Sequence, residues 1–247
     1  MTLYNSHITA YGKYVPKRVL SNFELENMVD TSDDWIINRT GIKERRIASK
    51  DEATSDLCLK AIDNLFKVKS IDPHNIDVII VATITPDTLF PSTACIIQKK
   101  ISAINSWGFD ISAACSGFLF ALQTGNQFIK TGKYNNALII GGDKMSSIIN
   151  YNDRNTCILF GDGAGAVFLE KTKHSYGIID SILRIDGNGG KYLHMKAGGS
   201  RMPATNETIL KGYHYVYQNG APVFKYAVKG MSDITKEILI KNNIKIN

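Results

Sequence analysis

The hydrophobic pattern of this chain contains short apolar runs that are typical of buried strands. They lie at residues 77–83 (DVIIVAT), 137–142 (ALIIGG) and 164–169 (AGAVFL). An unbroken apolar run of this length is characteristic of a strand that is covered on both faces, as in parallel sheets. Each run is far shorter than the roughly 18 residues that a membrane-spanning helix needs. The pattern therefore predicts buried strands and no membrane span.

Amphipathic segments separate these runs. Residues 55–67, 92–100 and 117–130 carry apolar side chains at the spacing of one helix face. In the first of them, Leu57, Ala61 and Leu65 share that face. The alternation of strand and helix patterns predicts an α/β fold with a mostly parallel sheet.

The pattern also contains a weak internal repeat. The helical segment 55–67 leads into the strand at 77–83, and a second helical segment at 223–241 leads only into residues 242–247. Repeated units predict a duplicated fold. A second copy without its buried strand would leave its helix with an uncovered apolar face. An ordinary terminal helix over residues 223–247 would give the same pattern.

Composition and charge exclude several classes of function. With 44% hydrophobic and 21% charged residues, the chain has the composition of a globular protein. Its 29 basic and 23 acidic residues give a net charge of +6, without the basic run that nucleic-acid binding favours. We expect no nucleic-acid partner and a mild preference for anionic ones. The first residues lack the basic-then-apolar pattern of a signal peptide, which predicts a cytoplasmic protein.

The four cysteines are spaced as free thiols. Cys58, Cys95, Cys115 and Cys157 form no CxxC pair, and no histidine pair completes a zinc site, so we expect neither disulfides nor a bound metal. A free cysteine usually behaves as a small hydrophobic residue. We therefore expect Cys58, Cys95 and Cys157 to be buried and inert.

Cys115 has a different sequence context. It lies in DISAACSGFLFAL, where an extended segment ends in small residues and an apolar helix begins. The helix dipole stabilises a thiolate at such a position, and the thiolate is the nucleophilic form of cysteine. Small neighbours such as Ala114 and Gly117 leave room for a substrate to approach. Cys115 is therefore the candidate nucleophile.

The glycines of FGDGAGAVFL, at residues 160–169, superficially resemble a dinucleotide-binding fingerprint. That fingerprint needs a strand before its glycines and a helix after them, whereas AVFL predicts a strand after them. The glycines therefore indicate a tight turn or close backbone packing.

Five segments, in this order and spacing, resemble one enzyme family. They are VDTSDDWIINRTGIKERRIA (29–48), TPDTLFPSTACIIQ (85–98), FDISAACSGF (109–118), NDRNTCILFGDGAGAVFL (152–169) and NGAPVFKYAV (219–228). Together they are similar to β-ketoacyl-acyl-carrier-protein synthase III, a thiolase-like condensing enzyme of type II fatty-acid synthesis. The resemblance covers the chain from about residue 3 to its end. The segment DDWIINRTGIKERRI favours this family over the related hydroxymethylglutaryl-coenzyme A synthase and chalcone synthase types.

The resemblance implies a fold and a reaction. The fold is a thiolase-like α/β fold, with a duplicated, mostly parallel sheet layered with helices. We expect a first half at residues 1–172 and the start of an incomplete second half at 173–247. The implied acyltransferase reaction condenses acetyl-coenzyme A with malonyl-acyl carrier protein and gives acetoacetyl-acyl carrier protein and CO₂. Acetyl-coenzyme A is a substrate, no cofactor is needed, and a homodimer and an acyl carrier protein partner are expected.

The resemblance also implies roles for particular residues. Cys115 is the nucleophile, and Phe90 closes the acyl pocket across a dimer interface. Trp35 and Arg154 resemble the pair that sandwiches the adenine ring, an arrangement suited to an aromatic ring and a planar guanidinium. The full set of implied coenzyme A contacts is Thr31, Trp35, Arg39, Arg154, Gly220 and Phe224.

Two departures from the family pattern leave alternatives open. Ala221 stands where the family usually has asparagine, beside the pantetheine-tunnel positions Gly220 and Phe224. The histidine and asparagine that the family uses for decarboxylation match no segment of this sequence. Besides the full condensing enzyme, we therefore consider a truncated form limited to acetyl transfer, and a non-catalytic remnant that binds coenzyme A or dimerises.

Overall fold

The structure, a computed structural model, describes residues 4–245 of the chain. The strands are β1 (Asn5–Tyr14), β2 (Arg18–Ser21), β3 (Glu44–Ile47), β4 (Val78–Ala82), β5 (Trp107–Ile111), β6 (Asn136–Lys144), β7 (Asp162–Thr172), β8 (Leu193–Met195) and β9 (Val216–Gln218). The α-helices are α1 (Asn22–Glu26), α2 (Asp33–Thr40), α3 (Thr54–Val68), α4 (Thr93–Lys100), α5 (Gly117–Lys130), α6 (Arg154–Cys157), α7 (Asn206–Leu210) and α8 (Gly220–Lys241). The predicted helices and strands are all present, with small shifts at their ends.

The chain divides into two compact units that alternate along the sequence. The first unit comprises Met1–Val19, Arg46–Met145 and Gly161–Ile179. The second comprises Leu20–Arg45, Ser146–Phe160 and Asp180–Asn247. The division into halves at residue 172 concerns a larger architecture and stays a prediction.

The first unit contains a five-stranded sheet. Its strand order is β1-β7-β6-β4-β5. β4 is parallel to both β5 and β6, and β7 is antiparallel to β6 and to β1. Four strands thus run in one direction and β7 alone runs in the other. This confirms the predicted α/β class with a mostly parallel sheet.

Helices cover both faces of this sheet. In β4, Ile79 and Val81 pack with the apolar residues of α3 and α4, and Val78 and Ile80 pack with those of α5. All five residues of β4 are buried, as its unbroken apolar pattern predicts. The core of the first unit therefore lies on the two sides of the central strands.

Two of the three glycines in the segment 160–169 lie inside a strand. Gly163 and Gly165 belong to β7, so the structure excludes a tight turn at these two positions and supports close backbone packing. A Cβ atom added at Gly163 would lie 3.3 Å from the carbonyl oxygen of Tyr14 on β1.

The second unit has a short two-stranded sheet and several helices. β8 pairs antiparallel with β9. The long helix α8 has no buried residue among those described, and Phe224, Met231 and Ile240 are more than half exposed. Among residues 4–245, no helix combines the length and the apolar character needed to cross a bilayer.

Candidate active site

Cys115 lies where the sheet of the first unit leads into α5. β5 ends at Ile111, and a short 3₁₀ turn over Ala114–Ser116 leads directly to Gly117, the first residue of α5. The side chain of Cys115 is exposed. The first N–H groups of a helix lack partners within the helix and carry the positive end of its dipole. Cys115 therefore faces solvent beside a helix end that favours negative charge.

Local backbone geometry holds this thiol in place. Ala114 has φ of 45°, in the left-handed region that non-glycine residues rarely adopt. Such strain costs about 1–3 kcal/mol and clusters at functional sites. A Cβ atom at Gly117 would approach the Cβ of Ala82 to 3.2 Å, so glycine lets α5 begin close to the end of β4. Both features bring Cys115 to the carboxyl end of the parallel strands.

The other cysteines differ in exposure. Cys58 and Cys157 are buried as predicted, and burial raises the pKa of each thiol. The prediction that Cys95 is buried is wrong, because Cys95 is exposed on α4. In that helix Ala94 and Ile97 point into the core, and the intervening position therefore turns outward.

Cys95 also lies near a helix start, but side chains already accept the hydrogen bonds of the first N–H groups of that helix. The carboxylate of Asp110 accepts hydrogen bonds from the N–H groups of Thr93 (2.6 Å) and Ala94 (2.8 Å). The Ser92 hydroxyl accepts from the N–H of Cys95 itself (3.2 Å). Helix α5 has neither a side-chain cap nor an acidic residue in its first turn. Among residues 4–245, a carboxylate thus caps the helix start at Cys95, whereas no side chain caps the helix start at Cys115.

The segment between β4 and α4 carries Phe90 at its tip. Leu89 and Phe90 are each 85% exposed, an unusual position for large apolar side chains. The segment is nevertheless tethered, because Asp143 accepts hydrogen bonds from the N–H groups of Ile84 (2.9 Å) and Thr85 (3.2 Å). The first unit thus presents Phe90 from an anchored loop.

Asp87 provides a second tether for the same loop. Its carboxylate accepts hydrogen bonds from the Ser55 N–H (2.8 Å) and the Ser55 hydroxyl (2.7 Å) at the start of α3. The sequence motifs predicted no role for Asp87 or Asp143. A usable signal was present in the sequence, since Asp143 is a charged residue directly after the buried run ALIIGG.

The second unit brings Trp35 and Arg154 together. Trp35 lies on α2 and Arg154 is the first residue of α6. The guanidinium carbon of Arg154 lies 4.0 Å from the centroid of the Trp35 ring, and that of Arg39 lies 5.6 Å from it. The carboxylate of Asp30 is 3.9 Å from the Arg154 guanidinium. Two cations and one aromatic ring thus form a cluster suited to a flat, anionic ligand.

The remaining predicted contacts also belong to the second unit. The hydroxyl oxygen of Thr31 is buried and has no hydrogen-bond partner among residues 4–245. Gly220 and Phe224 lie in the first turns of α8, where both are exposed, as is Ala221.

The histidine side chains have contacts that do not involve Cys115. Within residues 4–245, these contacts are His7 with the Glu170 carbonyl (3.2 Å), His74 with Asp72 (2.9 Å), His174 with the ring of Tyr176 (5.1 Å between centroids), His194 with the Gly190 carbonyl (2.9 Å) and His214 with the Thr208 hydroxyl (2.9 Å). The same residues contain no group of three or more histidine, cysteine, aspartate or glutamate side chains arranged to hold a metal ion.

Comparison with known proteins gives consistent matches. Residues 109–187 match the model of the family described as 3-oxoacyl-(acyl-carrier-protein) synthase III. The chain is 53% identical over 232 residues to β-ketoacyl-acyl-carrier-protein synthase III of Caldanaerobacter subterraneus subsp. tengcongensis, covering 94% of this chain and 70% of that protein. It is 52% identical over 239 residues to the synthase III of Koribacter versatilis, covering 96% and 72%.

A solved structure also matches the chain. The crystal structure of 3-oxoacyl-(acyl-carrier-protein) synthase III from Aquifex aeolicus superposes with a TM-score of 0.86 at 42% identity. The match covers 97% of this chain and 73% of that one.

Proposed function

The chain belongs to the β-ketoacyl-acyl-carrier-protein synthase III family of condensing acyltransferases, and on that premise we propose a specific reaction for it. It transfers the acetyl group of acetyl-coenzyme A to Cys115 and then condenses that group with malonyl-acyl carrier protein. The observation that carries this proposal is the position of Cys115, an exposed thiol at the uncapped start of α5.

The proposed reaction has two halves. The Cys115 thiolate attacks the acetyl thioester carbonyl, the new S–C bond forms, and coenzyme A leaves as a thiolate that takes up a proton. The malonyl thioester then loses CO₂, and its enolate carbon attacks the acetyl group on Cys115. Cys115 leaves as a thiolate, and the product is acetoacetyl-acyl carrier protein. The α5 N-terminus favours the anionic sulfur in both halves.

The cluster around Trp35 supports a coenzyme A site in the second unit. An aromatic ring with a stacked guanidinium offers two faces for a purine, and Arg39 adds a cation for a phosphate group. We also assign to Thr31 a polar contact with this ligand: its hydroxyl has no hydrogen-bond partner within residues 4–245, and because that oxygen is buried, binding of the ligand would have to expose it. We assign the exposed start of α8, with Gly220 and Phe224, to the pantetheine arm.

The edge of the sheet supports a homodimer. Within the described residues, β5 pairs on one side only and is an edge strand. Trp107 on this strand is 41% exposed and stacks on Phe109, with ring centroids 5.8 Å apart. An exposed, apolar edge strand is a template for pairing with another chain. We propose that the dimer contact lies at this edge and that Phe90 enters the partner's acyl pocket. Trp107→Lys should then shift the protein towards the monomer in sedimentation experiments.

Mass spectrometry of the purified chain tests the reaction. After exposure to acetyl-coenzyme A, we expect an acetyl adduct on the peptide that contains Cys115. The adduct should be absent from Cys115→Ser and retained in Cys95→Ser, which removes the other exposed thiol. Unmodified Cys115 at saturating acetyl-coenzyme A would refute the proposal.

A second candidate function is acetyl transfer without condensation. It is favoured by the histidine contacts, since no described histidine is hydrogen-bonded to Cys115. Donors that stabilise a developing negative charge typically contribute about 10² to 10³ in rate each. Addition of malonyl-acyl carrier protein to the acetylated chain separates the candidates. Acetoacetyl-acyl carrier protein indicates the full reaction, a stable acetyl adduct indicates transfer alone, and coenzyme A binding without an adduct indicates a binding remnant.

A further inference from the structure

Asn22 is a buried residue that connects the two ends of α2. It is 1% exposed, and its amide nitrogen donates to the Asp33 carboxylate (2.7 Å) and to the Ile42 carbonyl (2.9 Å). Asp33 is the first residue of α2, and Ile42 follows Gly41, the left-handed residue that ends this helix. One buried side chain therefore contacts both ends of the helix that carries Trp35.

Arg45 extends this connection to α6. It is 3% exposed, and its guanidinium donates to the side-chain oxygen of Asn22. Its Nε also donates to the carbonyl of Ile158 (2.9 Å), and a second guanidinium nitrogen donates to that same oxygen. Ile158 directly follows α6, whose first residue is Arg154. Asn22 and Arg45 thus form a continuous path of hydrogen bonds from α2 to α6.

Arg45 is a charged side chain in a buried position, and its hydrogen bonds must compensate for the lost solvation. Burial lowers the pKa of the Arg45 guanidinium, because a desolvated charge is destabilised. A buried charge is tolerated only when its donors are hydrogen-bonded. The planar fork of arginine reaches two acceptors on different elements at once, which the single ammonium of lysine cannot reproduce.

We propose that Arg45, acting through Asn22, is a positioning residue for the nucleotide end of coenzyme A, because it holds α2 and α6 in the register that places Arg154 over Trp35. The inference rests on the proposed coenzyme A site. Arg45 itself is buried and touches no substrate. Its loss should impair the use of substrates that carry the nucleotide and spare those that lack it, whereas a general loss of stability would impair both.

The test compares two acetyl donors. Acetyl-coenzyme A carries the nucleotide and S-acetyl-pantetheine lacks it, so the ratio of their rates of Cys115 acetylation reports on the nucleotide site alone. Stacking on a base is worth about 5- to 150-fold. We expect Arg45→Met and Arg45→Lys each to lower this ratio by about tenfold, and Trp35→Ala to lower it at least as much. The double variant Trp35→Ala/Arg45→Met should fall no further than Trp35→Ala alone, because both changes act on one site.

Controls separate positioning from folding. Thr208→Val changes a buried residue of the same unit whose hydrogen bonds remain within residues 205–214, and it should leave the ratio unchanged. If the Arg45 variants do not fold, Asn22→Asp takes their place. That change keeps the acceptor for Arg45 and removes the donor to Asp33 and Ile42, so the ratio should again fall. Calorimetry with adenosine 3′,5′-bisphosphate gives the same comparison without the chemistry of Cys115.

The outcomes are distinguishable. If Trp35→Ala lowers the ratio and the folded Arg45 and Asn22 variants do not, the positioning role is wrong and the coenzyme A site stands. If Trp35→Ala leaves the ratio and the bisphosphate affinity unchanged, the coenzyme A site itself is wrong, and the positioning role is wrong with it.

Discussion

The guanidinium of Arg154 lies directly over the ring of Trp35, with 4.0 Å between its central carbon and the ring centroid. Stacked flat groups lie about 3.5 Å apart, so a purine held between the two groups needs them about 7 Å apart. The free protein therefore has the pair closed, and an adenine ring must separate Arg154 from Trp35 before it can bind between them. Part of the stacking free energy is consequently spent on breaking an existing cation–π contact.

This geometry predicts unequal effects of two substitutions. Trp35→Ala removes the aromatic face and should weaken coenzyme A binding by about 1–3 kcal/mol. Arg154→Ala removes the other face that contacts the adenine. It also removes the guanidinium that contacts the Trp35 ring in the free protein, so the loss of coenzyme A affinity should be smaller. Isothermal titration calorimetry with coenzyme A measures both. Equal affinities for wild type and both variants would show that the adenine does not bind at this pair. A larger loss of affinity for Arg154→Ala than for Trp35→Ala would contradict the closed contact between the two side chains.

Thiol labelling should discriminate between the two exposed cysteines. We expect iodoacetamide to modify Cys115 about tenfold faster than Cys95, because the start of α5 is uncapped whereas Asp110 compensates the start of α4. Cys58 and Cys157 should react only on unfolding, since both are buried. Peptide mass spectrometry at successive times gives the labelling rates. The variants Cys95→Ser and Cys115→Ser identify which labelled peptide belongs to which cysteine. Faster labelling of Cys95 in the folded protein would overturn the argument.

The exposed loop tip predicts a change in primer length. If Phe90 closes the acyl pocket of the partner, Phe90→Ala should raise the rate of Cys115 acylation by butyryl-coenzyme A relative to acetyl-coenzyme A. One methylene in an apolar pocket is worth about 10- to 200-fold. Leu89→Ala is a matched control, because Leu89 is equally exposed on the same loop. An unchanged acyl preference in Phe90→Ala would show that Phe90 does not line the acyl pocket.

Acid should remove a contribution to stability made by Glu52. Its carboxylate accepts hydrogen bonds from the Lys60 ammonium, the Ser49 N–H (2.8 Å) and the Tyr14 hydroxyl (3.3 Å). The bond from Lys60 is the main cause that lowers the pKa of Glu52 to about 2. A carboxyl with a lowered pKa stabilises the fold above its ordinary pKa, near 4.5, and loses that effect as the pH falls towards 2.

Urea unfolding at several pH values measures this effect. Glu52→Gln should reduce the free energy of unfolding by about 0.5–1 kcal/mol at pH 7, and the difference from wild type should shrink between pH 4.5 and 2 and disappear only below pH 2. Asp63→Asn, which changes an exposed carboxylate on α3, serves as the control. A difference that stays constant from pH 7 to 2 would show that the Glu52 charge plays no part.

The sequence by itself determined the local architecture around the nucleophile. The apolar run of β4 and the amphipathic pattern of α5 are short-range signals, and the structure reproduces both elements. The same holds for the placement of Cys115 at a strand-to-helix junction, because helix starts depend on neighbouring residues. The roles of Phe90 and of the coenzyme A contacts came from motif resemblance, and they stay predictions.

Only the tertiary structure decided which distant side chains meet. Nothing local in the sequence distinguishes the buried Arg45 from the charged residues beside it, and its burial depends on acceptors supplied by Asn22 and Ile158. The closed contact of Arg154 with Trp35 likewise needs α2 and α6 in one register. The exposure of Cys95 follows from which face of α4 packs on the sheet. These features arise from packing between segments far apart in the chain, where local propensity carries no information about partner or distance.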